Sequence, residues 1–466
     1  MPRLSVFMLL GVLAFCLSEA LPATRAAEPR RPNIIFILAD DLGYGDLGCY
    51  GQQRIQTPNI DKLAAEGMRF TQCYAGSTVC APSRCALMTG LHTGHATVRG
   101  NALMPLRPQD VTIAEVLKRA GYTTALIGKW GLGEPGTTGV PNRKGFDTFF
   151  GYLNQVHAHN YYPDYLWRNE ERATIEGNIV TDGVASQHAQ YAPDLFTKEA
   201  LRFVEQQKDS PFFLYLAYIT PHANNERGNK EGNGLEVPDD APYSNKPWPQ
   251  VEKNFAAMVT RMDADVGRLM TRLKKLGLDE NTIVFFSSDN GPHKEGGHDP
   301  LFFQSGGPLK GTKRDLYEGG IRVPMIARWP GHIAAGKTSE QVWAFWDFVP
   351  TAAELCGITP PAGLDGISMM PALLDKGEQK QHDFLYWEFH ERGFQQAVRM
   401  GDWKAVRPAW GKPLELYDLR SDLAERHNVA GQNAEIVSKI EEYLKNARSE
   451  SVRWPIQHRQ APILRK

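Results

Sequence analysis

Four long apolar runs stand out against the polar positions of this chain. They are Asn33–Asp40 (NIIFILAD), Tyr122–Gly128 (YTTALIG), Pro211–Thr220 (PFFLYLAYIT) and Asn281–Asp289 (NTIVFFSSD). None alternates with period two, so each reads as a strand covered on both faces. Elsewhere apolar residues recur at helical spacing. That spacing predicts helices over Thr112–Ala120, Phe196–Gln207 and the longer Val251–Leu276. Gly121 and Gly277 fall where a left-handed C-terminal cap belongs. Strands and helices alternate from about Arg31 to Thr359, which predicts an α/β layer fold.

Pro360, Pro361 and the polar run to Gln381 read as a linker. Beyond it, Asp383–His390, Gln395–Gly401, Trp403–Arg407 and Leu414–Arg420 read as short strands joined by turns. Ala434–Arg448 reads as an amphipathic helix. The expected division is an α/β domain over residues 31–360 and a small antiparallel sheet plus helix over 365–466.

The residues just past each buried strand carry the chemistry. The first strand ends in Asp40-Asp41, the second in Lys129, the third in His222 and the fourth in Asp289-Asn290. Open parallel sheets bind ligands beyond the carboxyl ends of their strands. Adjacent strands would therefore gather two acidic clusters, a lysine and a histidine at one edge. That is the composition of a metal-plus-anion site. Carboxylates with an amide oxygen make a hard donor set, which selects calcium or magnesium. Adjacent acids without a cation would repel and raise a pKa.

The chain has 466 residues, 42% of them hydrophobic, and a formal net charge of −1. With no overall basic field, it does not read as a general polyanion or nucleic-acid binder. Arg3 precedes the apolar stretch Leu4–Leu17, and small-residue cleavage candidates follow at Ser18–Ala20 and Thr24–Ala26. This predicts a signal peptide over residues 1–26 and export, periplasmic or secreted. No later segment is long and apolar enough to span a membrane. Removing the leader deletes Cys16 and leaves five cysteines, enough for one or two bridges whose pairing the sequence leaves open.

One of those cysteines opens the run Cys80-Ala81-Pro82-Ser83-Arg84. Cys80 alone is compatible with a buried apolar role, with a bridge to Cys73 or Cys85, or with a Cys/His metal site using His92 and His95. If a helix begins at Cys80, Arg84 lies one turn on and shares its face. Lys129, His222 and Lys313 are candidates to hold an anion or to protonate a leaving group. The aromatic segment His157–Trp167 lies in a polar, glycine-rich region of the kind that carries specificity, and it suits a carbohydrate.

Together these pieces resemble the type I, formylglycine-dependent sulfatases of the alkaline phosphatase superfamily. The matching segments run in order: Leu38–Gln52 (LADDLGYGDLGCYGQ), Cys80–Gly90 (CAPSRCALMTG), Gly121–Trp130 (GYTTALIGKW), Thr220-Pro221-His222, Ser288–His293 (SDNGPH), Tyr317–Pro324 (YEGGIRVP) and Leu414–Arg420 (LELYDLR). The overall look is nearest to arylsulfatases and N-acetylgalactosamine-6-sulfatases. The resemblance implies an alkaline phosphatase-like fold, a large mixed sheet sandwiched by helices. It implies that a formylglycine-generating enzyme converts Cys80 to an aldehyde whose hydrate is the nucleophile. It implies a calcium ion held by Asp40, Asp41, Asp289, Asn290 and the modified Cys80. Arg84 would steady the hydrated aldehyde, and Asp289 would help deprotonate the attacking hydroxyl. Lys129, His222 and Lys313 would hold the sulfate, Lys313 being preferred to Lys310 for its spacing to Tyr317–Gly320.

The chain departs from the family at one place. It reads Gly128-Lys129-Trp130-Gly131-Leu132-Gly133 where many members carry a histidine at the fourth position. That histidine is thought to take a proton as the sulfated diol collapses, and Gly131 has no side chain to do so. His157 and His159 are the replacements considered. The rivals are a phosphatase or phosphodiesterase of the same superfamily, which would use two close transition metals, and a sulfated-glycan binding protein on a degenerate scaffold.

Overall fold

The computed structural model describes residues 31–456. The expected signal peptide, residues 1–26, lies outside the described residues. In chain order the strands are β1 (Asn33–Ala39), β2 (Met68–Tyr74), β3 (Thr123–Lys129), β4 (Thr148–Tyr152), β5 (Tyr165–Arg168) and β6 (Glu171–Thr174). A short hairpin follows, β7 (Ile179–Thr181) and β8 (Val184–Gln187). Then come β9 (Phe212–Ala217), β10 (Thr282–Ser288), β11 (Arg322–Arg328), β12 (Lys337–Ser339) and β13 (Trp343–Ala344). The C-terminal strands are β14 (Leu385–Phe389), β15 (Gln395–Met400), β16 (Trp403–Arg407) and β17 (Glu415–Asp418).

The main sheet runs β12-β2-β11-β10-β1-β9-β3-β4-β5-β6, with β13 also on β2. Its five central strands, β10, β1, β9, β3 and β4, pair parallel with one another. The flanks β11, β5 and β6 pair antiparallel. The sheet is therefore mixed but parallel where the four apolar runs lie.

Both faces of β1 are covered, which explains its unbroken apolar pattern. Ile34, Phe36 and Leu38 join one core with residues of the helices Cys80–Thr89, Ile113–Arg119 and Phe348–Leu355. Ile35, Ile37 and Ala39 join the opposite core with residues of Pro58–Ala65, Ala192–Gln206 and Gln250–Lys275. Full burial contributes about 1.5–3 kcal/mol for each large aliphatic side chain. The helix expected from Thr112 begins there by a capping box: Thr112 accepts from the Glu115 N–H, and Glu115 accepts from the Thr112 N–H.

The C-terminal sheet β14-β15-β16-β17 is antiparallel throughout, as its alternating pattern predicts. Tyr386, Val398 and Leu416 face Ile440 and Leu444 of the helix Ala434–Leu444. On the other face Leu385, Trp387 and Phe389 pack with Tyr74, Val79, Ala86 and Trp346. The Trp387 indole N–H donates to the Ala75 carbonyl at 2.9 Å. The stretch expected as a linker is less free than its polarity predicts. It contains the short helix Met370–Leu374, and Met370 and Leu373 enter the core. The described residues form one compact unit. Among them no helix is long and apolar enough to cross a membrane.

Candidate active site

The carboxyl ends of the central strands meet as the sequence predicts. Ala39 of β1 pairs with Ser288 of β10, so Asp40 and Asp289 emerge side by side. The Asp289 N–H donates to the Ala39 carbonyl at 3.1 Å, and the Asp40 N–H to the Thr220 carbonyl at 3.0 Å. Lys129 ends β3, with β9 between it and β1. Successive side chains of a strand point to opposite faces. Asp41 escapes that rule through a left-handed backbone, φ 65°, fixed by its N–H donating to Asp289 Oδ1 at 3.1 Å. Both acids therefore join the same buried cluster.

The helix Cys80–Thr89 brings the next two groups, and every one of its residues is buried. Its first turn has no cap from Val79. Asn101 supplies one instead, its Oδ1 accepting from the Ala81 N–H at 2.9 Å. Cys80 Sγ lies 3.4 Å from Asp40 Oδ1. Burial first, and then the Asp40 charge, hold the thiol well above its ordinary pKa. The thiolate is the nucleophilic form of cysteine, so Cys80 as a plain thiol is a poor nucleophile. Arg84, one turn on, is fully buried. It donates to Asp289 Oδ2 from Nε at 3.0 Å and Nη2 at 2.7 Å, and to the Lys129 carbonyl at 2.8 Å. Lys129 Nζ donates to Asp40 Oδ2 at 2.6 Å.

A second layer closes over Asp41. Lys313 Nζ donates to Asp41 Oδ2 at 2.8 Å, to His222 Nε2 at 3.0 Å and to Glu295 Oε2 at 2.9 Å. His222 Nδ1 lies 2.7 Å from the Ala223 carbonyl, which makes Nδ1 the protonated nitrogen and Nε2 the acceptor. Burial, with Lys313 next to it, pushes His222 down to about 3, so it is neutral at pH 7. Burial opposes ionisation of Asp40, but Lys129 and Arg84 outweigh it and hold the carboxyl far below its usual range. At Asp289 burial and the neighbouring Asp40 win, pushing it up to about 7.

The three buried carboxylates Asp40, Asp41 and Asp289 are faced by three buried cations, Arg84, Lys129 and Lys313. The Asn290 amide donates to Asp41 Oδ1 at 2.7 Å, while its own buried Oδ1 has no partner. Among the described residues, Asp40, Asp41, Cys80 and His222 offer ligand atoms within 4.8 Å of one another, while the Asp289 oxygens accept from the Asp41 N–H and from Arg84. The carboxylates and the free Asn290 oxygen are the hard donors here. A second His/Asp group, His92, His95 and Asp365, also brings its ligand atoms within 4.8 Å of one another. The Gly94 N–H donates to His92 Nδ1 at 3.1 Å, so His92 Nε2 carries the proton and faces Asp365. His92 and His95 group with Asp365 rather than with Cys80, unlike the alternative Cys/His site, and the five described cysteines are all free.

Of the remaining candidates, Lys313 is in the cluster. Lys310 instead reaches the Glu425 carbonyl and the Tyr417 hydroxyl at the C-terminal sheet. His159 stacks on His222 with ring centroids 5.0 Å apart, its Nδ1 held 3.0 Å from Glu226. His157 does not join the group. Its ring packs on Tyr152 and Tyr165, and burial lowers it to about 4. Sequence reading missed Asn101 and Glu295. Glu295 pairs with Lys313 and also with Arg314, at 2.5 Å, which in turn meets Glu391 at 3.0 Å. Its one signal is its place six residues beyond Asp289 in a strand-end loop. A cavity of about 1020 Å³ opens beside this cluster, lined by Val156, His159, Glu226, Lys294 and Glu295 among others.

Comparison with known proteins agrees with this geometry. The sulfatase family model matches residues 32–358, and the model for the C-terminal region of N-sulphoglucosamine sulphohydrolase matches residues 311–450. N-acetylgalactosamine-6-sulfatase of Mus musculus is 34% identical, over 89% of this chain and 79% of that protein. Arylsulfatase A of Homo sapiens is 34% identical, over 91% and 88%. The crystal structure of Ps i-CgsB in complex with k-i-k-neocarrahexaose superposes with a TM-score of 0.78 at 30% identity, covering 92% of this chain and 96% of that one. By sequence along nearly its whole length and by fold, this chain belongs to the sulfatase family of sulfuric ester hydrolases.

Proposed function

We propose that this chain removes sulfate from a sulfated carbohydrate, using a formylglycine formed from Cys80 and a calcium ion held by Asp40, Asp41, Asp289, Asn290 and the modified residue. The observation that carries this reading is the position of Cys80. It opens a buried helix 3.4 Å from Asp40, among four strand ends, as a thiol too weakly acidic to attack by itself. The hydrated aldehyde supplies one hydroxyl for attack on sulfur and a second whose ionisation releases sulfate. A bound divalent cation supplies the charge that lets carboxylates and sulfate share one site.

The chain's own residues do the rest. Arg84 orients the head of the nucleophile helix against Asp289 and Asp40. Lys129 and Lys313 aim fixed cations at an incoming anion, and Glu295 steadies Lys313. Neutral His222 turns Nε2 to the cluster as an acceptor, and by accepting from the Lys313 ammonium at 3.0 Å it positions that cation for the sulfate. His159 is the better of the two considered replacements for a side chain at 131. Glu226 occupies its Nδ1, which leaves Nε2 to receive a proton. His159→Ala should lower kcat by about 10²-fold or more, and His157→Ala, buried between tyrosines, should leave it unchanged. Steady-state kinetics on both variants checks this, and the reverse order would exchange their roles.

The relatives named N-acetylgalactosamine-6-sulfatase favour a 6-sulfated amino sugar as the first substrate to try. The apolar stretch Leu4–Leu17 supports export, with Cys80 modified by a formylglycine-generating enzyme on the way. The function is tested with matured protein, measuring sulfate released from N-acetylgalactosamine 6-sulfate and 4-nitrocatechol sulfate. Activity should fall below about a tenth after chelation and return with calcium. Preference for phosphate esters with added zinc would make the chain a phosphatase or phosphodiesterase. Binding of sulfated sugars without release, despite a modified Cys80, would make it a glycan-binding protein.

A further inference from the structure

We propose that Gln155 is a substrate-contacting residue, and that position 131 is glycine to make room for its carboxamide. The proposal rests on the sulfatase reading above. Gly131 lies two residues past Lys129, with its N–H on the Leu153 carbonyl and its φ at +84°. A Cβ built on Gly131 would stand 2.0 Å from Gln155 Nε2. No side chain fits there while Gln155 keeps its place. The carboxamide has therefore taken the space that a residue at 131 would use at this strand end.

Its surroundings leave it unanswered. Both Gln155 Nε2 and Oε1 are buried, and neither has a hydrogen-bond partner within the protein. Leaving both ends of a buried amide unpaired is costly, so such a group calls for an explanation. Its neighbours are tied down on either side. Asn154 donates to Glu134 and accepts from the His157 N–H, and Trp130 donates to the Gly139 carbonyl. The chain thus fixes the loop around Gln155 and leaves both ends of its carboxamide without a partner, as it leaves His157 Nε2 two residues on. The next residue, Val156, lines the cavity of about 1020 Å³, and so does His159. A sulfated sugar offers what the amide lacks. A sulfate or ring oxygen accepts from Nε2, and a sugar hydroxyl donates to Oε1.

Gln155→Leu keeps the volume and removes both polar atoms. With matured, calcium-loaded protein, KM for N-acetylgalactosamine 6-sulfate is expected to rise about 10- to 100-fold, as for a lost buried hydrogen bond. The melting temperature is expected to stay or rise, because the variant no longer buries an unpaired amide. A structural glutamine gives the opposite pattern, so a melting temperature lowered by several degrees overturns the proposal whatever the substrate. An unchanged KM on a sugar the wild type cleaves also overturns it. Gly131→Ala provides the second arm: it should raise KM in the wild type, and raise it clearly less in the Gln155→Ala background, where only the strain of a side chain at φ +84° is left. Additive losses would break the link between the two positions. A wild type that releases no sulfate counts against the sulfatase reading instead, and the melting temperature then still judges Gln155.

Discussion

Cys80→Ala is expected to lower kcat for sulfate release by about 10⁴-fold or more, the scale seen when a nucleophile is deleted. Stability should change by only ~1 kcal/mol, because alanine loses one buried sulfur atom in a helix it favours. Chemistry as well as position gives Cys80 this weight. Sγ sits among Asp40, Lys129 and Arg84, so whatever replaces it lies at the centre of the charged cluster. Burial and Asp40 keep the thiol protonated, which denies a plain cysteine the role. The mass of the Cys80 peptide from wild-type protein completes the test. Loss of sulfur and gain of an aldehyde oxygen should accompany activity. Full activity from protein whose Cys80 is an intact thiol would sink the mechanism.

Arg84→Met should be the most damaging change to stability. Arg84 is fully buried and makes two hydrogen bonds to Asp289 Oδ2, with Asp40 3.4 Å away. Deleting one partner of a buried ion pair leaves the other charge stranded, at a cost of about 3–5 kcal/mol. Here two carboxylates would face each other with less to separate them. Denaturant unfolding without metal should show that loss. Added calcium should recover part of it, since a cation among Asp40, Asp41 and Asp289 replaces some of the missing charge. A metal-free variant as stable as wild type would mean that Lys129 and Lys313 alone hold the cluster together.

The strand ends were legible because buried parallel strands have a plain signature. An unbroken apolar run that stops at Asp40-Asp41 or Asp289-Asn290 marks both the strand and its carboxyl edge. Arg84 was legible for a similar reason, since four residues is one helical turn. Other contacts join residues whose sequence separation carries no pattern. Asn101 caps a helix twenty residues earlier in the chain, and Glu295 meets Lys313 across a loop. His157 and His159 look equivalent in sequence. They fall in one 3₁₀ turn that sends one ring between tyrosines and the other onto His222. Gln155 has no sequence mark at all. Only the missing side chain at Gly131 points to it, and then only once the two strands are in register.

The seam between β14 and the nucleophile helix has a consequence for timing. Cys80 is 1% exposed, and Leu385, Trp387 and Phe389 pack beside Val79 at the helix entrance. In the folded chain that sulfur is closed to solvent, with the C-terminal sheet packed at the helix entrance. Residue 385 leaves the ribosome about 300 residues after Cys80, which at ~5–20 residues per second is roughly 15–60 s later. Under the proposed function, the aldehyde would have to be installed within that interval or during any delay before folding. On that reading, hosts that fold the chain quickly, or that lack a formylglycine-generating enzyme, are expected to yield a well-ordered protein with no turnover.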